Sequence, residues 1–251
     1  MIKFFRNIRQ TMIKENRATK YALYAIGEII LVVIGILIAL SINNWNENEK
    51  LKQKEINIAE EIYTELNENI AFVKNQLKLW ESRDTNINKV LNLIASDTIT
   101  ITQREFDSIM IYVIGFNNFK LKHSKFSKII ESENFEFTRS NEIITEMLSL
   151  NADYNTLMAY YEFNETNYSG VIEPYLLKNY SFRNLANVLF GQKSIHKLDF
   201  RVLLDDLEFD NVIHTAQGNN QPFVMYINNA LKKMEQFRYT LESVYPTIKK
   251  E

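Results

Sequence analysis

Hydrophobic and polar positions along the chain follow three successive patterns. From Tyr21 to Ile42, YALYAIGEIILVVIGILIALSI, the run is apolar apart from one charge, Glu28. About 22 residues at about 1.5 Å each make roughly 33 Å of helix, enough to cross a hydrocarbon core of about 30 Å, so residues 21–42 read as a transmembrane helix. From Leu51 to residue 95 apolar residues recur in steps close to three and four. Leu66, Ile70, Val73, Leu77, Trp80, Ile87, Leu91 and Ile94 share one face, the pattern of a long amphipathic helix, with Asp84 as a polar point on the stripe. A parallel coiled coil would use such a stripe, but its polar interruptions favour packing within the chain's own bundle.

Beyond residue 95 shorter helical segments alternate with turn signals. Thr102-Gln-Arg-Glu105 is a capping box, predicting a helix from Gln103 to about Val113, closed by Gly115. Ser124 starts a short helix through Ile130. Ser140 or Asn141 caps another reaching Phe163, with Ile143, Met147, Leu150, Tyr154, Leu157 and Tyr161 on one face. NETNYSG at 164–170 reads as a connection, and Pro174 suits a first helical turn. Further helices are predicted over 182–190 ended by Gly191, 199–216 ended by Gly218, and 221–244 stopped by Pro246. Thr98 to Thr102, TITIT, alternates like a strand, but five residues alone make no sheet. The expected fold is all-α: one N-terminal transmembrane helix, a long helix over 51–95, and a helical bundle within residues 43–251.

Charge turns this pattern into an expected topology. Lys3, Arg6, Arg9, Lys14, Arg17 and Lys20 precede the apolar run against Glu15 alone, whereas Asn43, Asn44, Trp45, Asn46, Glu47, Asn48 and Glu49 follow it. The positive-inside rule then favours a cytoplasmic N-terminus, an inner-membrane span and an exported, periplasmic remainder, with Tyr21, Tyr24 and Trp45 as interfacial aromatics. Residues 1–20 carry Ile2, Phe5, Ile8 and Met12 at helical spacing, so this stub is either an amphipathic segment on the anionic leaflet or a topology signal alone. Ala39 and Ser41 have signal-peptidase spacing, but the long basic start and Glu28 fit a retained anchor better. A net charge of -2 gives no bulk basic excess for nucleic acid. With no cysteine there are no disulfides, thiolate metal sites or cysteine nucleophiles, and with 6 Gly and 3 Pro there are few turns for a sheet.

Within the apolar run, Gly35 and Ala39 form a small-xxx-small pair, and Glu28 lies two turns before Gly35 on nearly the same face. Glu28 either snorkels to the cytoplasmic headgroups or, protonated, hydrogen-bonds a partner helix. The second reading predicts a homo-oligomer through Glu28, Gly35 and Ala39.

The wording KFFRNIRQ followed by ATKYALYAIGEIILVVIGILIALSINNWNE resembles a family of uncharacterised single-span membrane proteins of Bacteroidota with a YAIGEIxLVVIGILIALxINNWNE-type block. The resemblance is specific over residues 1–50 and loosens to a helical pattern beyond, with 125–154 similar to the family's central helices. It implies an envelope location and no activity.

Chemistry-bearing motifs are sparse. His123, His196 and His214 are scattered outside any dense metal motif. Asp206, Asp210 and His214 recur every four residues on one predicted helix, with His196 and Asp199 upstream; they form either a divalent-metal site or a solvated acidic face. No GxSxG, Walker loop or dinucleotide fingerprint occurs. Adjacent carboxylates such as Asp205 and Asp206, or Glu60 and Glu61, diverge on a helix and make poor acid-base pairs. Aromatics in NFEF at 134–137 and AYYEFNETNY at 159–168 either line an apolar pocket or pack a core. The expectation is a non-enzymatic, cofactor-free envelope module, binding an envelope protein or sensing a ligand; the alternative is a membrane-bound hydrolase.

Overall fold

A computed structural model describes residues 18–115, 118–122, 124–132, 140–192, 194–196 and 198–248, with side chains from Ala22 onward. Residues 1–17 of the basic stub, His123 and the NFEF segment lie outside the described residues. No strand occurs among the described residues, and the fold is all-α. The helices are α1 (Ala18–Ile94), α2 (Gln103–Ile114), α3 (Ser124–Glu131), α4 (Asn141–Asn167), α5 (Glu173–Asn179), α6 (Phe182–Phe190), α7 (Arg201–Leu204) and α8 (Leu207–Val244). A π-helical turn, Tyr168–Ile172, joins α4 to α5, and a 3₁₀ turn, Pro246–Ile248, follows α8.

The apolar run and the amphipathic stripe share the single helix α1. Between them NNWNENEK holds neither Pro nor Gly, and Lys50 and Lys52 pair with Glu47 and Glu49 at 3.0 and 2.6 Å, one turn back, which supports continuation. The chain divides into two compact units, Met1–Ile56 and Asn57–Glu251.

In the second unit α1 and α4 both run antiparallel to α8. Along α4 and α8 the pairs are Glu146 with Gln236, Asp153 with Lys233, Tyr160 with Tyr226 and Asn167 with Asn219, rising on one helix as they fall on the other. Along α1 and α8 they are Tyr63 with Glu242, Lys74 with Glu235, Trp80 with Phe223 and Asn88 with Gln217. Trp80, Phe119, Phe126, Tyr154, Phe223 and Phe237 fill the space between, all at most 2% exposed. Each such ring contributes about 1.5–3 kcal/mol through burial. Phe106, Met110 and Val113 of α2 close a second part of the core against Tyr175, Leu176, Phe200 and Phe209.

Local signals mark some boundaries and mislead at others. Thr102 caps α2 with the full reciprocal box, and Gly191 ends α6 in the left-handed region at φ 70°. Gly115 ends α2 for a different reason: its backbone is extended, but a Cβ there would lie 2.9 Å from the Ile111 carbonyl oxygen. NETNYSG is not a connection. The chain stays helical through it because the π turn absorbs one extra residue. Gly218 does not end a helix either, since α8 continues through Gly218 and Pro222. Pro222 lacks the N–H that would pair with the Gly218 carbonyl four residues back.

Candidate functional site

In the first unit, Ala22–Ile42 presents its leucine, isoleucine and valine side chains outward, from 47% exposure at Val33 to 72% at Leu31. Among the described residues one helix, within Ala22–Ile94, is long and apolar enough to cross a membrane, and none of its most apolar window is buried. Glu28 is half-buried and Ala39 exposed. A Cβ at Gly35 would meet nothing within 4 Å, so no packing among the described residues requires a glycine there.

Asp206, Asp210 and His214 are placed by the first turns of α8. Asp206 is the N-cap: one oxygen accepts from the Glu208 N–H at 2.9 Å, and the other from the Tyr175 hydroxyl. The Tyr175 hydrogen bond, followed by the cap N–H, holds the Asp206 carboxyl below its usual range. Burial, then that same carboxylate, pushes the phenol of Tyr175 up. Asp210 and His214 meet one turn on, at 2.9 Å, on the exposed side. His196 is exposed, and Asp199 accepts from the Arg201 N–H at 3.1 Å. Asp206 is thus committed to capping, and no three acidic or histidine groups among the described residues converge to hold a metal.

The aromatics of 159–168 divide between core and surface. Tyr161 is buried against Phe223, whereas Tyr160 and the exposed Phe163 form a ledge with Tyr226, the tyrosine rings 4.9 Å apart. Beside the ledge a shallow groove of about 400 Å³ runs between α4 and α8, lined by Asp153, Thr156, Tyr226, Asn229, Lys233 and Gln236. The Lys233–Asp153 ion pair crosses it.

The most organised polar chemistry lies on α1, at positions that the apolar stripe conceals. Glu65, 5% exposed, accepts from the N–H groups of Lys125 and Phe126 at 3.1 and 3.3 Å, capping α3 from another helix. Asn69 accepts from the Lys122 N–H and donates to the Lys122 carbonyl and the Tyr154 hydroxyl. Arg83, 3% exposed, donates from Nε to the Val113 carbonyl at 3.2 Å and lies 5.4 Å from the Trp80 ring centroid. Burial pushes its guanidinium down to about 10, partly offset by Tyr168. Asp84 accepts from Asn88 and Asn220, and Asn220 also donates to the Trp80 carbonyl. On α4, Asn164 is 2% exposed, and neither amide atom has a hydrogen-bond partner among the described residues. Periodicity could have located Glu65, Asn69 and Arg83, because each falls within the buried arc of α1; residue type alone would place them outside.

Residues 28–149 match the model of a family of unknown function (DUF6090). No curated protein and no solved structure matches the chain.

Proposed function

We propose that the chain is a single-pass, membrane-anchored helical module of the cell envelope, with its N-terminus cytoplasmic and its folded unit in the periplasm, where it binds another envelope component. The observation that supports this most is the pairing of an unburied apolar helix with a separately compact unit holding its own aromatic core. An apolar surface of that length is unfavourable in water and at home in lipid. The basic flank before Tyr21 and the acidic, asparagine-rich flank after Ile42 support the orientation. The α4–α8 groove and its tyrosine ledge offer a contact face for the partner. Self-association through Glu28, Gly35 and Ala39 fits a segment in which a Cβ at Gly35 meets nothing among the described residues. The hydrolase alternative loses support from the commitment of Asp206 to Tyr175 and the α8 cap.

The test is fractionation and protease accessibility of a C-terminally tagged full chain. The chain should stay in the membrane pellet through alkaline carbonate, and its tag should be cleaved in spheroplasts without lysis. Release by carbonate refutes the anchor, and protection of the tag until lysis refutes the orientation.

A further inference from the structure

The register of α4 against α8 gathers three buried asparagines at one level of the bundle. Tyr161 of α4 meets Phe223 of α8 at 6.1 Å between ring centroids, and Asn167 donates to Asn219 at 3.2 Å. Asn164 lies midway between Tyr161 and Asn167, so it faces the α8 turn that runs from Asn219 to Phe223 and includes Asn220. All three of these asparagine side chains are buried, Asn220 completely. Part of the set is matched within the chain: Asn219 Oδ1 accepts from Asn167, and Asn220 Nδ2 donates to the Trp80 carbonyl and to Asp84. The remainder is Asn164 Nδ2 and Oδ1, Asn219 Nδ2 and Asn220 Oδ1, each buried and without a hydrogen-bond partner among the described residues.

Amide atoms left this way carry a desolvation penalty that apolar packing does not offset, and their chemistry selects what would satisfy them. The two Nδ2 groups are donors and the two Oδ1 atoms are acceptors. A cation would match only the acceptors and an anion only the donors, whereas water both donates and accepts. Size points the same way. Phe223, 4.5 Å from the Trp80 ring and 6.1 Å from Tyr161, bounds the node with packed rings, which suit a water-sized guest rather than an organic solute. Both helices also depart from regular α geometry beside the node: the π turn of α4 begins at Tyr168, and Pro222 interrupts the α8 ladder. Such breaks are where water enters between helices.

We infer that Asn164, Asn219 and Asn220 form a binding site for structural water between α4 and α8, so that this level of the bundle is joined through water rather than by direct contact. The test is solution NMR on the full chain in detergent micelles. In a rotating-frame experiment, cross-peaks with the sign of dipolar contact rather than of chemical exchange should join the side-chain amide protons of Asn164 and Asn219 to the water resonance. Asn164→Leu adds a test of sign in the urea midpoint. At a hydrated site leucine removes one ligand of the water and leaves Asn219 Nδ2 and Asn220 Oδ1 unsatisfied, so the midpoint should fall. At a dry site it would remove two orphaned atoms from the core, and the midpoint would rise. Absence of the cross-peaks, or an Asn164→Leu midpoint at or above that of the parent, overturns the inference. The cross-peaks are read on the unaltered chain, so they decide the matter even if Asn164→Leu does not fold.

Discussion

Glu65→Ala tests directly how the segments between helices are held. Glu65 and Glu68 both leave α1 toward the same stretch of chain, but by different means. Glu65 is buried and accepts two backbone N–H groups of the first turn of α3, whereas Glu68 makes a surface ion pair with Lys122 at 3.1 Å, both side chains at least half exposed. Loss of a helix cap costs about 0.5–2 kcal/mol, and a second buried donor left unpaired adds about 1 kcal/mol, so Glu65→Ala should cost about 1.5–3 kcal/mol. In a folded unit of this size that lowers Tm by about 3–12 °C. Glu68→Ala, an exposed pair in high dielectric, should cost less than about 1 kcal/mol. Thermal unfolding of the full chain in detergent can be followed by the emission of Trp80, 1% exposed, in a Trp45→Phe background that removes the exposed second indole. Phe126 must loosen with α3, since its ring sits 5.9 Å from Tyr154 and 6.0 Å from Phe237. A Tm for Glu65→Ala within about 1 °C of the parent, or equal losses for both variants, would refute the capping argument.

Stability should fall steeply in alkali. Burial raises the phenols of Tyr154, Tyr175 and Tyr180, so their contribution is complete below the ordinary phenol value near 10 and is lost as pH rises toward and through their folded values. Arg83, pushed down to about 10, has the opposite sign above that pH, but it is one group against three. Urea midpoints between about pH 8 and pH 11 should drop, Tyr154→Phe should flatten the slope, and a pH-independent midpoint would contradict the assignment. Gly191→Ala should cost about 1 kcal/mol by chemical denaturation: the new methyl meets nothing within 4 Å, so the left-handed backbone alone is tested. In a membrane two-hybrid assay the Glu28→Leu and Gly35→Leu double variant should lose self-association; an unchanged signal excludes that face.

What could be read from the sequence was what short stretches of chain decide for themselves. The Thr102 box, the Gly191 stop, the Pro246 stop and the apolar face of α4 each depend on a few neighbouring residues, and each stands where the pattern predicts. The readings at Gly218 and Gly170 fail because packing outweighs propensity. A glycine costs about 1 kcal/mol inside a helix, less than the burial of Phe223 or Ile227 on one side of the break and Ile213 or Ala216 on the other contributes to keeping α8 whole. The acidic run at the start of α8 depends on a distant partner in a related way. Helical spacing placed Asp206, Asp210 and His214 on one face, but the Tyr175 hydroxyl from a different helix decides what Asp206 does.

The polar residues hidden in α1 explain why the helices were easier to foresee than their arrangement. Apolar burial favours close packing of α1, α4 and α8 without specifying where the intervening segments cross. Glu65, Asn69 and Arg83 supply that information, because each engages a backbone group that its own helix does not: the Lys125 and Phe126 N–H groups, both backbone groups of Lys122, and the Val113 carbonyl. A slip of one helical turn would leave those groups buried without partners, at about 1–3 kcal/mol each, so registers that bury similar apolar area are separated by their polar cost. The side chains that lower the apolar content of the α1 stripe are therefore the ones that select one arrangement of the bundle.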